Sequence, residues 1–290
     1  MINGLFKTMR PKQWMKNIFV FAALVFDKKF LNPLWFGRTL AAFLLFCLIS
    51  STVYIINDLV DLEKDRNHPT KKNRPLPSGK LSPRVAVVAA VLFGIIGIGC
   101  SFLLSLEFGV VASIYLLSMI LYSFKLKNIV IIDVMTIAAG FVLRVAGGVV
   151  VIPVERFSPW LYVCMTLLAL FMAVGKRRHE IVLLAENANN HRKILDEYNI
   201  DFLDDMMALV TSTTVMAYSL YTFSAPNLPA NHTMMLTIPF VLYGLFRYLY
   251  LVRVKGLGGA PEDLVLKDKP LLLDVVLFGV AAFAVLYLFA

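Results

Sequence analysis

A chain of 290 residues that is 59% hydrophobic, only 16% charged and +0.75 in mean hydropathy is too apolar for a soluble domain. Its net charge of +9 comes without the aromatic-basic patterning of an RNA or DNA module, so no nucleic-acid partner is expected. Cys47, Cys100 and Cys164 have neither paired nor metal-ligand spacing and read as small apolar packing residues. In chain order, a basic stretch (Lys7, Arg10, Lys12, Lys16) without a cleavage pattern precedes a first apolar run, which is expected to stay in the membrane. Long continuous runs predict membrane-spanning helices near 17–31, 36–56, 85–105, 108–124, 128–152, 158–174, 203–223, 231–252 and 271–289. The expected fold class is therefore all-α: one polytopic domain over 1–290 with about nine transmembrane helices, the first short and either re-entrant or tilted. With a cytoplasmic N-terminus, about 22 of the 28 Lys and Arg fall on the cytoplasmic side and about 4 (Lys28, Lys29, Arg38, Arg156) on the other. That imbalance is the positive-inside signature of a multi-pass protein in a plasma membrane.

The polar material is gathered in the cytoplasmic loops. After the second run comes Asn57-Asp58-Leu59-Val60-Asp61-Leu62-Glu63-Lys64-Asp65. If the helix continues, Asp58, Asp61 and Asp65 share one face about 60° wide. Carboxylates so close repel unless a cation lies between them, and a hard divalent ion completed by substrate phosphate suits them. The loop goes on through His68-Pro69-Thr70-Lys71-Lys72-Asn73-Arg74 to Gly79, whose prolines and glycine fold the chain back and place Lys71 and Arg74 near the carboxylates. A metal face beside cations suits a diphosphate. Lipid-headgroup anchoring explains the cations but not the Asp spacing.

Tyr122 and Lys125 stand one turn apart at the next cytoplasmic turn. Asp133, Arg144 and Arg247 lie within or near the membrane, where they serve either a structural pair or a substrate. The 175–202 loop opens on Gly175-Lys176-Arg177-Arg178-His179-Glu180, in which Lys176 and Glu180 share a helical face; a plain juxtamembrane basic cluster would look the same. The 253–270 loop carries Gly256-Leu257-Gly258-Gly259-Ala260-Pro261-Glu262-Asp263, either a segment that closes over a site or a simple connection.

These residues resemble the UbiA superfamily of intramembrane prenyltransferases, which carry Asn-Asp-x-x-Asp-x-x-x-Asp after the second of nine spans. The resemblance covers essentially the whole chain. Arg10-Pro11-Lys12-Gln13-Trp14-Met15-Lys16-Asn17, His68-Pro69-Thr70-Lys71, Gly175-Lys176-Arg177 and Gly258 to Asp263 are similar to the decaprenyl-phosphate phosphoribosyltransferase branch. Prenyl-transferring members carry a second Asp-x-x-x-Asp after the sixth span; here Lys176-Arg177-Arg178-His179-Glu180 stands there, which favours a phosphate over a second metal. The resemblance implies transfer of phosphoribosyl from phosphoribosyl diphosphate to a polyprenyl phosphate. It assigns Mg²⁺, or Mn²⁺, to Asp58, Asp61 and Asp65 with help from Asn57. The phosphates fall to Lys71, Arg74, Lys125, Lys176 and Arg177, with Glu180 beside them, and the site wall to Lys16, Asn17 and Tyr122. A homo-oligomer is compatible with it.

Two other readings are open. In an aromatic or quinone prenyltransferase of the same fold, Asp201-Phe202-Leu203-Asp204-Asp205 would be the displaced second motif. A transporter would need polar groups along several spans near the midplane, whereas the charges here gather at one face.

Overall fold

The structure is a computed structural model that describes residues 2–67, 71–154, 158–185, 193–225, 228–259 and 261–288. Among them there is no strand. The chain groups into two compact units: Met1–Leu24, Lys29–Thr136 and Leu143–Pro153 form the first, and Val25–Lys28, Ile137–Val142 and Val154–Ala290 the second.

The first unit contains α1 (Ile2–Thr8), a 3-10 helix over Pro11–Phe21, α3 (Pro33–Val60), α4 (Leu62–Arg66), α5 (Pro83–Leu104) and α6 (Leu106–Phe124); the five-residue α2 (Ala22–Phe26) continues the 3-10 helix. Local chemistry sets the starts. Asn32 Oδ1 accepts from Leu34 N at 3.0 Å ahead of Pro33, and Ser82 Oγ accepts from Val85 N at 3.3 Å ahead of Pro83. Ser105, extended at φ −163°, separates α5 from α6 and caps α6 by accepting from Phe108 N at 3.1 Å. The 28 residues of α3 rise about 42 Å, beyond a hydrocarbon core of about 30 Å, so its last turn clears the apolar layer. The core holds Phe46, whose ring meets Phe108 and Tyr115 edge-on at 5.5 and 5.4 Å.

Seven described helices are long and apolar enough to cross a membrane: α3, α5, α6, α7 (Ile132–Val150), Pro159–Leu183, Thr233–Arg253 and α12 (Lys269–Leu288). The other two expected spans take different forms. The first is not one α-helix but the 3-10 helix plus α2. With three residues per turn, Trp14, Asn17 and Val20 stack in a straight row. That row lies along α3: Trp14 Nε1 donates to Ser51 Oγ at 3.0 Å, and Asn17 Nδ2 faces Ser50 Oγ at 3.2 Å and Cys47 Sγ at 3.3 Å. On α7, a Cβ at Gly148 would stand 1.9 Å from Val20 O, so only glycine lets this segment pack there. The seventh expected span is α9 (Ile200–Ser224), which opens on Asp201, Asp204 and Asp205 and is rich in hydroxyls.

In the second unit α8 (Pro159–Ala185) packs along α9, and α10 (Ile238–Arg253) along α12, around Leu161, Cys164, Tyr218, Tyr221 and Met234. The sequence placed a loop from 175. Instead α8 runs unbroken to Ala185, so Lys176 to Glu180 sit on a helix. Asp268, after α11 (Pro261–Lys267), caps α12 by accepting from Leu271 N at 2.9 Å and takes both arms of Arg247 at 3.0 and 2.8 Å.

Candidate active site

Asp58 lies in the last turn of α3, Asp61 at the break between α3 and α4, and Asp65 on α4. The helical hydrogen bonds nearly continue across the break, with Asp61 N on Asn57 O at 3.0 Å and Asp65 N on Asp61 O at 2.8 Å. Yet Asp61 leaves helical dihedrals (φ −91°, ψ 7°). Asp58 and Asp65 are only 2% and 3% exposed, so their charges need partners close by.

The chain supplies those partners from distant points. Arg10, held in a left-handed backbone conformation (φ 54°) at the start of the 3-10 helix, forms an ion pair with Asp58 and lies 5.0 Å over the Tyr54 ring. Arg74 Nη1 reaches Asp58 Oδ1 at 3.2 Å and Asp65 Oδ2 at 2.7 Å, and Lys71 Nζ stands 3.8 Å from Asp65. Arg74 is returned to the carboxylates because its loop is pinned: Leu76 and Leu81 are buried with Ile55, Ala86 and Ala90, and Gly79 turns the chain at φ 76°. His68, Pro69 and Thr70 lie outside the described residues. Lys127, 4% exposed in the turn after α6, donates to Asp61 Oδ1 at 2.7 Å.

The expected single face of three carboxylates is thus divided: Asp58 and Asp65 converge on one guanidinium nitrogen, and Asp61 faces Lys127. No set of three or more Asp, Glu, His or Cys groups converges to hold a metal among the described residues. The pair that does converge still fits Mg²⁺, which is commonly held by one or two carboxylates with substrate phosphates completing its shell. Asn57 is half-buried beside the pair in sequence.

The remaining sequence candidates divide by position. Asn17 is fully buried and accepts from Arg144 Nε at 2.7 Å, while Arg144 also donates to Tyr115 Oη at 2.7 Å; Asn17 thus belongs to an internal polar network. Lys16 and Tyr122 are half-buried, and Lys125 is exposed at the end of α6. In the second unit Arg177 is 1% exposed and pairs with Glu180 one turn on, so Glu180 takes Arg177 as well as sharing a face with Lys176. Lys176 is half-buried. Arg178 and Arg253 both hold Asp204, at 2.7 and 3.0 Å. The glycine-rich segment packs on α8 rather than standing away from it. His179 Nδ1 lies 2.8 Å from Gly256 O, and a Cβ at Gly259 would come 2.7 Å from the imidazole. Ala260 lies outside the described residues.

Arg10 and Lys127 were not among the sequence candidates. Arg10 heads the Arg-Pro-Lys-Gln-Trp stretch, and that was its signal. Lys127 had none: it is two residues from Lys125, and only the turn Leu126–Asn128 decides which lysine points inward.

The model of the UbiA prenyltransferase family matches residues 17–261, which takes in α3, the Asp cluster and α8. The chain belongs to the UbiA prenyltransferase family. Among UbiA-family relatives, the decaprenyl-phosphate phosphoribosyltransferase of Mycolicibacterium smegmatis is 32% identical over 93% of this chain and 88% of its own length. That of Corynebacterium glutamicum is 34% identical over 93% of this chain and 82% of its own. A UbiA homologue from Archaeoglobus fulgidus, solved with GPP and Mg²⁺, has the same fold, with a TM-score of 0.76 at 16% identity over 98% of this chain and 99% of that one. This UbiA-family chain is a multi-pass membrane protein and a transferase.

Proposed function

We propose that this protein transfers the 5-phosphoribosyl group of phosphoribosyl diphosphate to a polyprenyl phosphate. The cytoplasmic face of a plasma membrane is the proposed location. The observation that carries the reading is the cation surplus at the Asp cluster: Arg10, Arg74 and Lys71 against Asp58 and Asp65. Such a group accepts a polyanion, and a donor bearing three phosphates meeting a phosphate acceptor is a polyanionic pair. Support also comes from the two phosphoribosyltransferase relatives, which align over 93% of this chain.

In the reaction the bond from the anomeric carbon to the diphosphate oxygen breaks, and the electron pair leaves with diphosphate. An oxygen of the lipid phosphate supplies the pair for the new bond. The acceptor is already an anion, so no strong general base is needed. Asp58 and Asp65, with Asp61 and Asn57 beside them, are the proposed holders of Mg²⁺ or Mn²⁺, whose chemistry is to neutralise charge building on the diphosphate. Arg10, Lys71 and Arg74 would orient that diphosphate. Lys125 and Lys176 are the proposed partners of further phosphates. Arg177 and Glu180 would hold the helix around Lys176, and Lys16, Asn17 and Tyr122 would support the site wall.

A transfer assay in detergent tests this directly. Label from phosphoribosyl diphosphate should enter the lipid phase with polyprenyl phosphate and Mg²⁺, and EDTA should stop it. Label entering 4-hydroxybenzoate from a prenyl diphosphate instead would favour the aromatic prenyltransferase reading. That reading is the weaker one, because Asp201, Asp204 and Asp205 lie at the start of α9, whereas the place after the sixth span holds Lys176 to Glu180 on α8.

A further inference from the structure

We infer that Arg74 acts as a resident counter-cation that makes metal binding at Asp58 and Asp65 conditional on a diphosphate. The inference rests on the proposed function only in requiring a diphosphate ligand. One nitrogen, Arg74 Nη1, bridges both carboxylates at 3.2 and 2.7 Å, which is the place a bridging cation would take. Asp58 also has Arg10, and Asp65 has Lys71 at 3.8 Å. Three cations therefore serve two carboxylates. The group carries a net positive charge around carboxylates that are almost wholly buried, where solvent screens little. A bare dication meets repulsion there and must also displace a guanidinium from hydrogen bonds it already makes.

A diphosphate reverses both terms. Its oxygens offer Arg10, Arg74 and Lys71 new charge-assisted partners, and its charge turns the sign of the group. Arg74 can make the exchange by side-chain motion alone. Its side chain is 31% exposed while its loop stays pinned by Leu76 and Leu81. By linkage, metal and diphosphate then tighten each other's binding by the same factor. The metal thus arrives with the donor instead of waiting for it, and an empty site is kept from holding a metal without substrate.

The test is equilibrium dialysis of purified protein in detergent with Mn²⁺ as probe, free Mn²⁺ read by EPR, with and without ³²P-labelled inorganic diphosphate. Wild type is expected to retain Mn²⁺ at least tenfold more tightly, together with label, when diphosphate is present. Arg74→Gln should bind Mn²⁺ alone at least tenfold more tightly than wild type, whereas Arg74→Lys should keep the wild-type dependence. The double variant Asp58→Asn/Arg74→Gln should lose the metal that Arg74→Gln gained. Equal retention by wild type with and without diphosphate would overturn the inference. So would an unchanged Arg74→Gln, or undiminished metal in the double variant. Phosphoribosyl diphosphate is run in parallel: if inorganic diphosphate recruits Mn²⁺ and phosphoribosyl diphosphate does not, the proposed donor is wrong and the inference stands.

Discussion

Asp58 and Asp61 are three residues apart in one motif, yet their surroundings give them different tasks. Asp58 is buried beneath two arginines, and its loss should remove a ligand without unseating the fold. Asp58→Asn is expected to cut phosphoribosyl transfer by roughly a hundredfold or more, the scale seen when a group stabilising developing charge is lost. Unchanged elution of the detergent-solubilised protein would show that folding is retained. Asp61 instead forms a nearly buried pair with Lys127. Removing one partner of such a pair strands the other, at a cost of about 3–5 kcal/mol, whereas removing both costs much less. Lys127→Met should accordingly lower thermal stability sharply, and Asp61→Asn/Lys127→Met should recover most of it. A double variant no more stable than the single would show that the pair carries no coupling. The Asp spacing was legible because it is local. The identity of each cation was not: Lys125 and Lys127 are equivalent in composition, and the turn between α6 and α7 selects the second.

At the scale of elements, hydropathy located the long helices but misjudged two kinds of boundary. It ended the sixth span at 174 because charge begins there, yet a helix does not stop for charges whose partners lie on the same helix and its neighbours. Arg177 with Glu180, and Arg178 with Asp204, let α8 continue. It also marks 17–31 as a short span, re-entrant or tilted, without its helix type, whereas the row Trp14, Asn17, Val20 requires a three-residue repeat to meet α3. Gly148 is the close point of that docking, and Gly148→Ala is expected to cost about 1–3 kcal/mol through the forced shift of Val20. Thermal unfolding in detergent checks it. A second element-scale prediction concerns the start of α12. Hydrogen bonds from Arg247, with a smaller contribution from Leu271 N, hold the Asp268 carboxyl below the usual carboxylate range. A lowered folded-state pKa stabilises at and above the ordinary carboxylate pKa, and that contribution fades as pH falls through the lowered value. Asp268→Asn should therefore reduce stability at neutral pH and flatten its loss in acid. The pair is partly open to solvent, with the Arg247 and Asp268 side chains 28% and 13% exposed, so screening keeps the effect small.

For the whole molecule, the charge asymmetry predicts orientation. Cysteine placed at Lys72 should be labelled by an impermeant maleimide only from the cytoplasmic side, and cysteine at Lys28 only from the opposite side. Both are placed in a Cys100→Ser background, since Cys100 is the exposed native thiol. Labelling of both from one side would overturn the positive-inside assignment. The fold serves the proposed chemistry at this scale because a polyprenyl tail needs a bilayer-embedded protein while its phosphate needs a polar face. The 28 residues of α3 outrun the apolar layer and set Asn57 and Asp58 at its end.

The sequence by itself determined the membrane class, the positions of the long helices, the Asp cluster and the family, because hydropathy and motif spacing are local properties read along the chain. Tertiary structure alone decided the partners. Arg10 meets Asp58 across 48 residues, Lys127 meets Asp61 across 66, and Arg144 meets Asn17 across 127. Such pairs depend on how helices pack and on which way each turn rotates a side chain. A one-residue difference in a turn reverses that direction without changing composition or spacing.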